Sequence, residues 1–272
     1  MVQTLIIVFR EVLEASLVVG IVLAATRGVA QRNRWVGVGV GAGVLGAIVV
    51  AAFAEAIANA LEGLGQEVFN AGVLFLAVGM LGWHNVWMAR HGREIAVQMQ
   101  TVGHDVSVGR QPLYALGVVV GLAVLREGSE VVLFLYGIAA GGSGRVELLS
   151  GGTLGLAAGV AAGALLYLGL LRIPQKHLFA VTGWMILLLA AGMAAQGAAF
   201  LAQAGYLPDL TPALWDSTAW VTQHPIIAQI LKALVGYSPR PTGIQIAFYL
   251  VTLVVIGVCM KLMGRPPQVR TA

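Results

Sequence analysis

Seven stretches of the chain are apolar for about twenty residues or more: 4–26, 35–60, 69–89, 112–138, 149–171, 177–204 and 243–263. Nothing else in the sequence narrows the fold so far. The hydrocarbon core of a bilayer is about 30 Å thick and takes ~20 residues of helix to cross. Inside it each backbone N–H and C=O must find a partner within the protein, so continuous apolar runs of this length read as helices. The expected fold is an all-α polytopic membrane protein with seven transmembrane helices. Composition agrees, because only 10% of the 272 residues are charged, against about 25% in a soluble domain.

Charge placement orients the spans, since cytoplasmic loops collect Lys and Arg. Arg27, Arg32 and Arg34 follow the first run, and Arg90, Arg93 and Arg110 follow the third. Arg172 and Lys176 follow the fifth, and Lys261, Arg265 and Arg270 lie at the end. The opposite side holds Arg145, Lys232 and Arg240. The N-terminus is therefore expected outside and the C-terminus in the cytoplasm. A net charge of +4 spread in this way makes no single basic patch, so no nucleic-acid partner is expected. The single Cys259 excludes a disulfide framework and a thiolate metal cluster within the chain. Residues 1–9 lack the basic stretch that opens a cleavable signal, and none is expected.

The two remaining arginines lie inside apolar runs, in one shared pattern. Arg10-Glu11-Val12-Leu13-Glu14 interrupts the first run and Arg126-Glu127-Gly128-Ser129-Glu130 the fourth. Both read Arg-Glu-x-x-Glu, yet the first run heads inward and the fourth outward. The second and fifth runs are both glycine-rich, and the third and sixth share Ala77-Val78-Gly79-Met80 and Ala190-Ala191-Gly192-Met193. An inverted three-plus-three repeat with one additional helix has this layout, and such folds bind substrate where the halves meet. Repeat one is placed at 1–100, repeat two at 110–204, an outer interfacial loop at 205–242 and the seventh span at 243–264. Within the loop, 215–234 is expected to form an interfacial helix anchored by Trp215 and Trp220, a surface on which a soluble partner can dock. Gly37-x-x-x-Gly41 and Gly39-x-x-x-Gly43 are expected to let helices approach closely.

The motifs carry the chemistry. A charge near the bilayer centre costs about 2.5–3.5 kcal/mol on insertion scales, so six in two copies of one pattern call for a role. Glu11 and Glu14 share a helix face at i and i+3, as do Glu127 and Glu130. Arg10 stands four residues before Glu14 and Arg126 four before Glu130, so each arginine neutralises and orients a carboxylate. By rise along a helix, both pairs fall roughly 10–17 Å below the outer ends of their spans, at similar depth. Four carboxylates and two guanidiniums leave a net −2, which favours a multivalent cation. The available ligands are oxygens, suited to Mg²⁺, Ca²⁺, Mn²⁺ or a hard iron ion. Structural ion pairs between helices are the alternative, but they need one Glu per Arg, and each Arg here has two.

Paired Arg-Glu-x-x-Glu motifs in the first and fourth of seven spans resemble the high-affinity iron permease family. The resemblance covers most of the chain. It includes the Arg-Glu-Gly-x-Glu form at Arg126 to Glu130, then Gly205-Tyr206-Leu207-Pro208, Leu214-Trp215-Asp216 and Gly236-Tyr237-Ser238-Pro239. It implies an inner-membrane permease of bacterial type that moves iron into the cytoplasm, with Glu11, Glu14, Glu127 and Glu130 carrying the ion and Arg10 and Arg126 supporting them. It also implies periplasmic iron-binding or iron-oxidising partner proteins. Iron is then a transported substrate, and no tightly bound cofactor is expected. A homo-oligomer is compatible with the sequence. The alternatives are a permease for another divalent metal, such as Mn²⁺ or Pb²⁺, and a non-transporting membrane scaffold.

Weaker candidates stand beside the motifs. Glu55, near the outer end of the second span, is placed on the ion's path. With Glu62, Glu67, Glu147, Asp209 and Asp216 it would form an acidic vestibule that concentrates cations. His84, beside Asn85 in the third span, is a candidate ligand or proton relay, and a packing role is its alternative. Met80 and Met88 read as bundle core. The chain has no His-Glu-x-x-His, no Gly-x-x-x-x-Gly-Lys and no Gly-x-Ser-x-Gly, so no enzymatic activity is expected.

Overall fold

The structure, a computed structural model, describes residues 1–60, 65–169, 175–223 and 225–263. Among these residues the fold is all-helical, with α1 (Val2–Ala25), α2 (Arg32–Ala60), α3 (Gln66–Ser107), α4 (Tyr114–Ala140), α5 (Arg145–Tyr167), α6 (Gln175–Gln203), α7 (Thr218–Gln223), α8 (Pro225–Val235) and α9 (Gly243–Met263). Five are long and apolar enough to cross a membrane: α2, α5 and α9, and the segments Gln66–Met88 of α3 and Ala180–Gln203 of α6. The helices α1 and α4 match them in length, but every 18-residue window of either holds all three charges of its motif. Glu62, Arg172, Arg265 and Arg270 lie outside the described residues.

Two boundaries differ from the sequence reading. The third helix was expected to end near residue 89 and give way to a loop, but α3 is 42 residues long and runs on to Ser107. Hydropathy drops after Met88 while helical periodicity does not. Ile95, Met99, Gly103 and Val106 keep one stripe against the neighbouring helices, and Val106 and Met99 pack with Val22, Val36, Leu116 and Val120. At 1.5 Å per residue the helix is about 63 Å long, twice a bilayer core. The interfacial helix expected over 215–234 begins instead at Thr218, as α7, with α8 following it; residue 224 lies outside the described residues. Ahead of α7, the Thr218 hydroxyl and backbone N–H donate to Asp216 at 2.6 and 3.0 Å. These bonds, with Arg240 nearby, hold the Asp216 carboxyl below its ordinary range. The seventh span falls where expected, at Gly243–Met263.

The packing exchanges partners between the two halves. The most extensive contacts are α1 on α5 and α2 on α4, followed by α3 on α6. Glycines make the first two possible, and they do so with equivalent atoms. A Cβ added at Gly43 would lie 2.7 Å from Gly121 O, 2.7 Å from Val124 Cβ and 2.9 Å from Leu125 N. One added at Gly155 would lie 2.7 Å from Leu5 O, 2.9 Å from Val8 Cβ and 3.0 Å from Phe9 N. Leu5 and Gly121 each stand five residues before a motif arginine, and Val8 and Val124 two before. The next pair down repeats the match, with Gly159 against Val12 and Ala47 against Gly128. The expectation for Gly37 and Gly41 is not met. A Cβ on either would meet nothing within 4 Å, because they lie on the outward face of α2.

Two apolar clusters bracket the charged layer. One gathers Ile7, Leu74, Ala77, Leu81, Phe134, Ile138 and part of α6, with Met80 packed against it. The other gathers Val22, Val36, Val106, Leu116 and Val120. Along α1 the first cluster precedes the motif and the second follows it; along α4 the order is reversed. The two motif helices are therefore antiparallel, and both motifs sit between the clusters. His84 falls in the same layer, between Leu81 and Val106 on α3.

Candidate metal centre

Each motif folds back on itself as its spacing dictates. Arg10 Nε lies 2.9 Å from Glu14 Oε1, and Arg10 Nη1 donates to Glu11 Oε1 at 3.0 Å. In the second motif Arg126 Nε donates to Glu130 Oε1 at 3.2 Å and lies 3.8 Å from Glu127 Oε1. The copies differ in burial. The Arg10 side chain is 3% exposed and that of Arg126 34%. Arg126 compensates with a contact that helical spacing does not reveal: its guanidinium carbon sits 4.3 Å over the centre of the Trp87 ring. A cation over an aromatic face is worth roughly 0.5–2 kcal/mol.

The antiparallel crossing brings the two motifs together, and α3 adds a third element. His84 is 4% exposed. Its Nδ1 touches Glu130 Oε2, and its Nε2 lies 3.6 Å from Glu14 Oε2. One ligand atom from each of Glu11, His84, Glu127 and Glu130 lies within 4.8 Å of every other. Ligand atoms on opposite sides of one bound ion are about 4–5 Å apart, so the group is of the size of a single coordination sphere. Glu14 lies beside it, held by Arg10 and facing His84.

Two polar atoms here are not satisfied by the described residues. Glu11 Oε2 and Glu127 Oε2 are buried and accept no hydrogen bond from a described residue. Buried carboxylate oxygens without donors cost a protein several kcal/mol unless charge compensates them. Two such oxygens, on two residues of the ligand group, are what a cation would compensate. Glu11 and Glu127 line a cavity of about 710 Å³ between α1, α2, α4 and α5, whose other walls are Val8, Val12, Val44, Ala47 and Val124 among others. His84, Arg126 and Glu130 line another, of about 590 Å³, with Phe75, Met80, Trp83 and Trp87. The ligand group thus stands between two cavities.

Of the weaker sequence candidates, His84 joins the site and Glu55 does not. Glu55 and Glu67 are exposed and belong to no such group. Glu147 lies 3.7 Å from the amino group of Met1, and Asp216 lies 3.2 Å from Arg240. Met88 is half-buried.

Comparison with known proteins gives the family. The model of the iron permease FTR1 family matches residues 1–265. A ferrous iron permease EfeU of Escherichia coli O6:H1 is 32% identical over 255 residues, covering 92% of this chain and 91% of that one. The ferrous iron permease EfeU of Shigella sonnei is 32% identical over 254 residues with the same coverage. That of Yersinia pestis is 27% identical over 253 residues, covering 92% and 89%. No solved structure matches.

Proposed function

We propose, from the premise that the chain belongs to the iron permease FTR1 family, that it carries ferrous iron into the cytoplasm through one site built from both Arg-Glu-x-x-Glu motifs. The observation that carries this reading is the convergence of Glu11, His84, Glu127 and Glu130 on one point, with two buried carboxylate oxygens left unpaired. The ferrous state follows the names of the relatives. The chain is a multi-pass protein of the inner membrane, with α1 to α6 and α9 as seven spans, the N-terminus outside and the C-terminus in the cytoplasm.

The equivalent glycine contacts of α2 on α4 and of α5 on α1 support an inverted repeat about an axis between the motifs. An ion arriving from the outer face sheds water and is held by Glu11, Glu127 and Glu130, while Glu14 keeps the group in shape. Arg10 and Arg126 offset carboxylate repulsion before the ion arrives. Rocking of one repeat against the other then opens the site toward the cytoplasm, with the two flanking cavities as the spaces it opens into. The segment containing α7 and α8, on the outer side, is the docking place for periplasmic iron-binding or iron-oxidising proteins.

Ferrous uptake into proteoliposomes tests the reading. Changes in outer-shell partners alone lower metal affinity by about 10–100-fold, so Glu11→Gln and Glu127→Gln are expected to lower uptake by about 100-fold or more at unchanged abundance. Uptake per folded molecule equal to that of the unaltered protein would refute it and return the motifs to a scaffold role. Uptake of Mn²⁺ in preference to Fe²⁺ would keep the site and change its cargo.

A further inference from the structure

Read from the sequence, the donors at this site are all carboxylate oxygens. Such a set suits Mg²⁺, Ca²⁺ and Mn²⁺ as well as it suits iron. The structure adds one nitrogen donor. We propose that His84 is the specificity-determining residue, a direct imidazole ligand that turns the carboxylate cluster toward a divalent transition metal and away from Mg²⁺ and Ca²⁺. This rests on the reading that the cluster holds the cargo.

Three observations carry it. The first is reach: a ring nitrogen of His84 lies within 4.8 Å of oxygens from Glu11, Glu127 and Glu130, and the side chain is 4% exposed. An ion bound by those carboxylates cannot avoid the imidazole. The second is orientation. A metal-ligating histidine almost always presents its second ring nitrogen to a carboxylate or carbonyl, which fixes the ring and makes it a better donor. Here Nδ1 faces Glu130, inside the ligand group, and Nε2 faces Glu14 Oε2 at 3.6 Å. Glu14 is in turn held by Arg10 Nε at 2.9 Å. The one motif glutamate outside the ligand group is thus placed where a ligating histidine needs its partner. Each motif glutamate then has a part, and the two copies have different ones.

The third is asymmetry. Among the described residues the ligand group draws carboxylates from both motifs and its one nitrogen from α3. The duplicated carboxylates are common to both halves; the nitrogen comes from one. Imidazole is a ligand for iron, copper, nickel and zinc, whereas carboxylate and water serve magnesium and calcium. One histidine among carboxylates is therefore the smallest change that separates these cations.

The test uses the full chain in lipid nanodiscs under anaerobic conditions. Fe²⁺ binding is measured in competition with Mg²⁺ and with Ca²⁺, for the unaltered protein, His84→Gln and Glu127→Gln. The expected result for His84→Gln is retained cation binding with the preference for Fe²⁺ lowered by on the order of ten-fold or more. Iron K-edge absorption of the Fe²⁺-loaded unaltered protein is expected to show imidazole outer-shell scattering, lost in His84→Gln. An iron spectrum without imidazole, or an unchanged preference in His84→Gln, overturns the proposal. If Glu127→Gln meanwhile loses Fe²⁺ binding, only the role of His84 falls. Undiminished Fe²⁺ binding in Glu127→Gln removes the site itself. Should His84→Gln fail to fold, the spectrum of the unaltered protein decides alone.

Discussion

The two motif arginines share a sequence context and not an environment. Arg10 is enclosed, with Glu11 and Glu14 both within 3.0 Å. Arg126 is one-third exposed to a cavity and leans on Trp87. Removing one partner of a buried ion pair costs about 3–5 kcal/mol, because the charge left behind stays out of water. Arg10→Met is therefore expected to lower stability by that order, read as a fall in thermal midpoint of the detergent-solubilised protein. Arg126→Met is expected to cost distinctly less, since partly exposed pairs are screened. Equal losses would show that the difference in burial has no energetic consequence. At this scale the sequence was legible where partners are local. The pairs Arg10–Glu14 and Arg126–Glu130 follow from helical spacing alone. His84 was not legible in the same way. Its carboxylates come from two other helices, and only the crossing of α1, α3 and α4 brings them to it.

Helices in this fold are set by glycine register. Gly43 on α2 and Gly155 on α5 meet backbone atoms, which cannot move aside as a side chain can. Gly41, two residues from Gly43, faces outward with nothing near it. Overpacking typically costs about 1–3 kcal/mol, and occasionally more. Gly43→Leu and Gly155→Leu are expected to destabilise by at least this much and by similar amounts, while Gly41→Leu leaves the thermal midpoint unchanged. A loss at Gly41 as large as at Gly43 would contradict the packing described. The sequence displayed both glycine pairs of α2 and could not distinguish them, because spacing gives a stripe and only the partner helix selects it. Helix ends were legible where apolarity and helicity begin together, as at Gly243 of α9. They were not on α3, whose polar half stays helical by packing on Val22, Leu116 and Val120.

Over the whole molecule, the partner exchange matters more than any single contact. The helix α1 is seated mainly on α5, and α2 on α4, so each half supplies the surface that the other needs. A chain divided between Ser107 and Tyr114 tests this. Each fragment expressed alone is expected to be degraded or aggregated, and co-expression is expected to restore a complex that survives purification. Fragments stable in isolation would show that the halves are independent units. The same exchange sets the order of events during synthesis. When α1 leaves the ribosome its principal neighbour is more than a hundred residues from being made. The glycine-faced α2 likewise waits for α4, and a helix with three charges must be kept from other partners meanwhile. Biogenesis of this protein is thus a matter of holding unfinished helices in reserve, and a cell short of insertion machinery would lose it before its simpler neighbours.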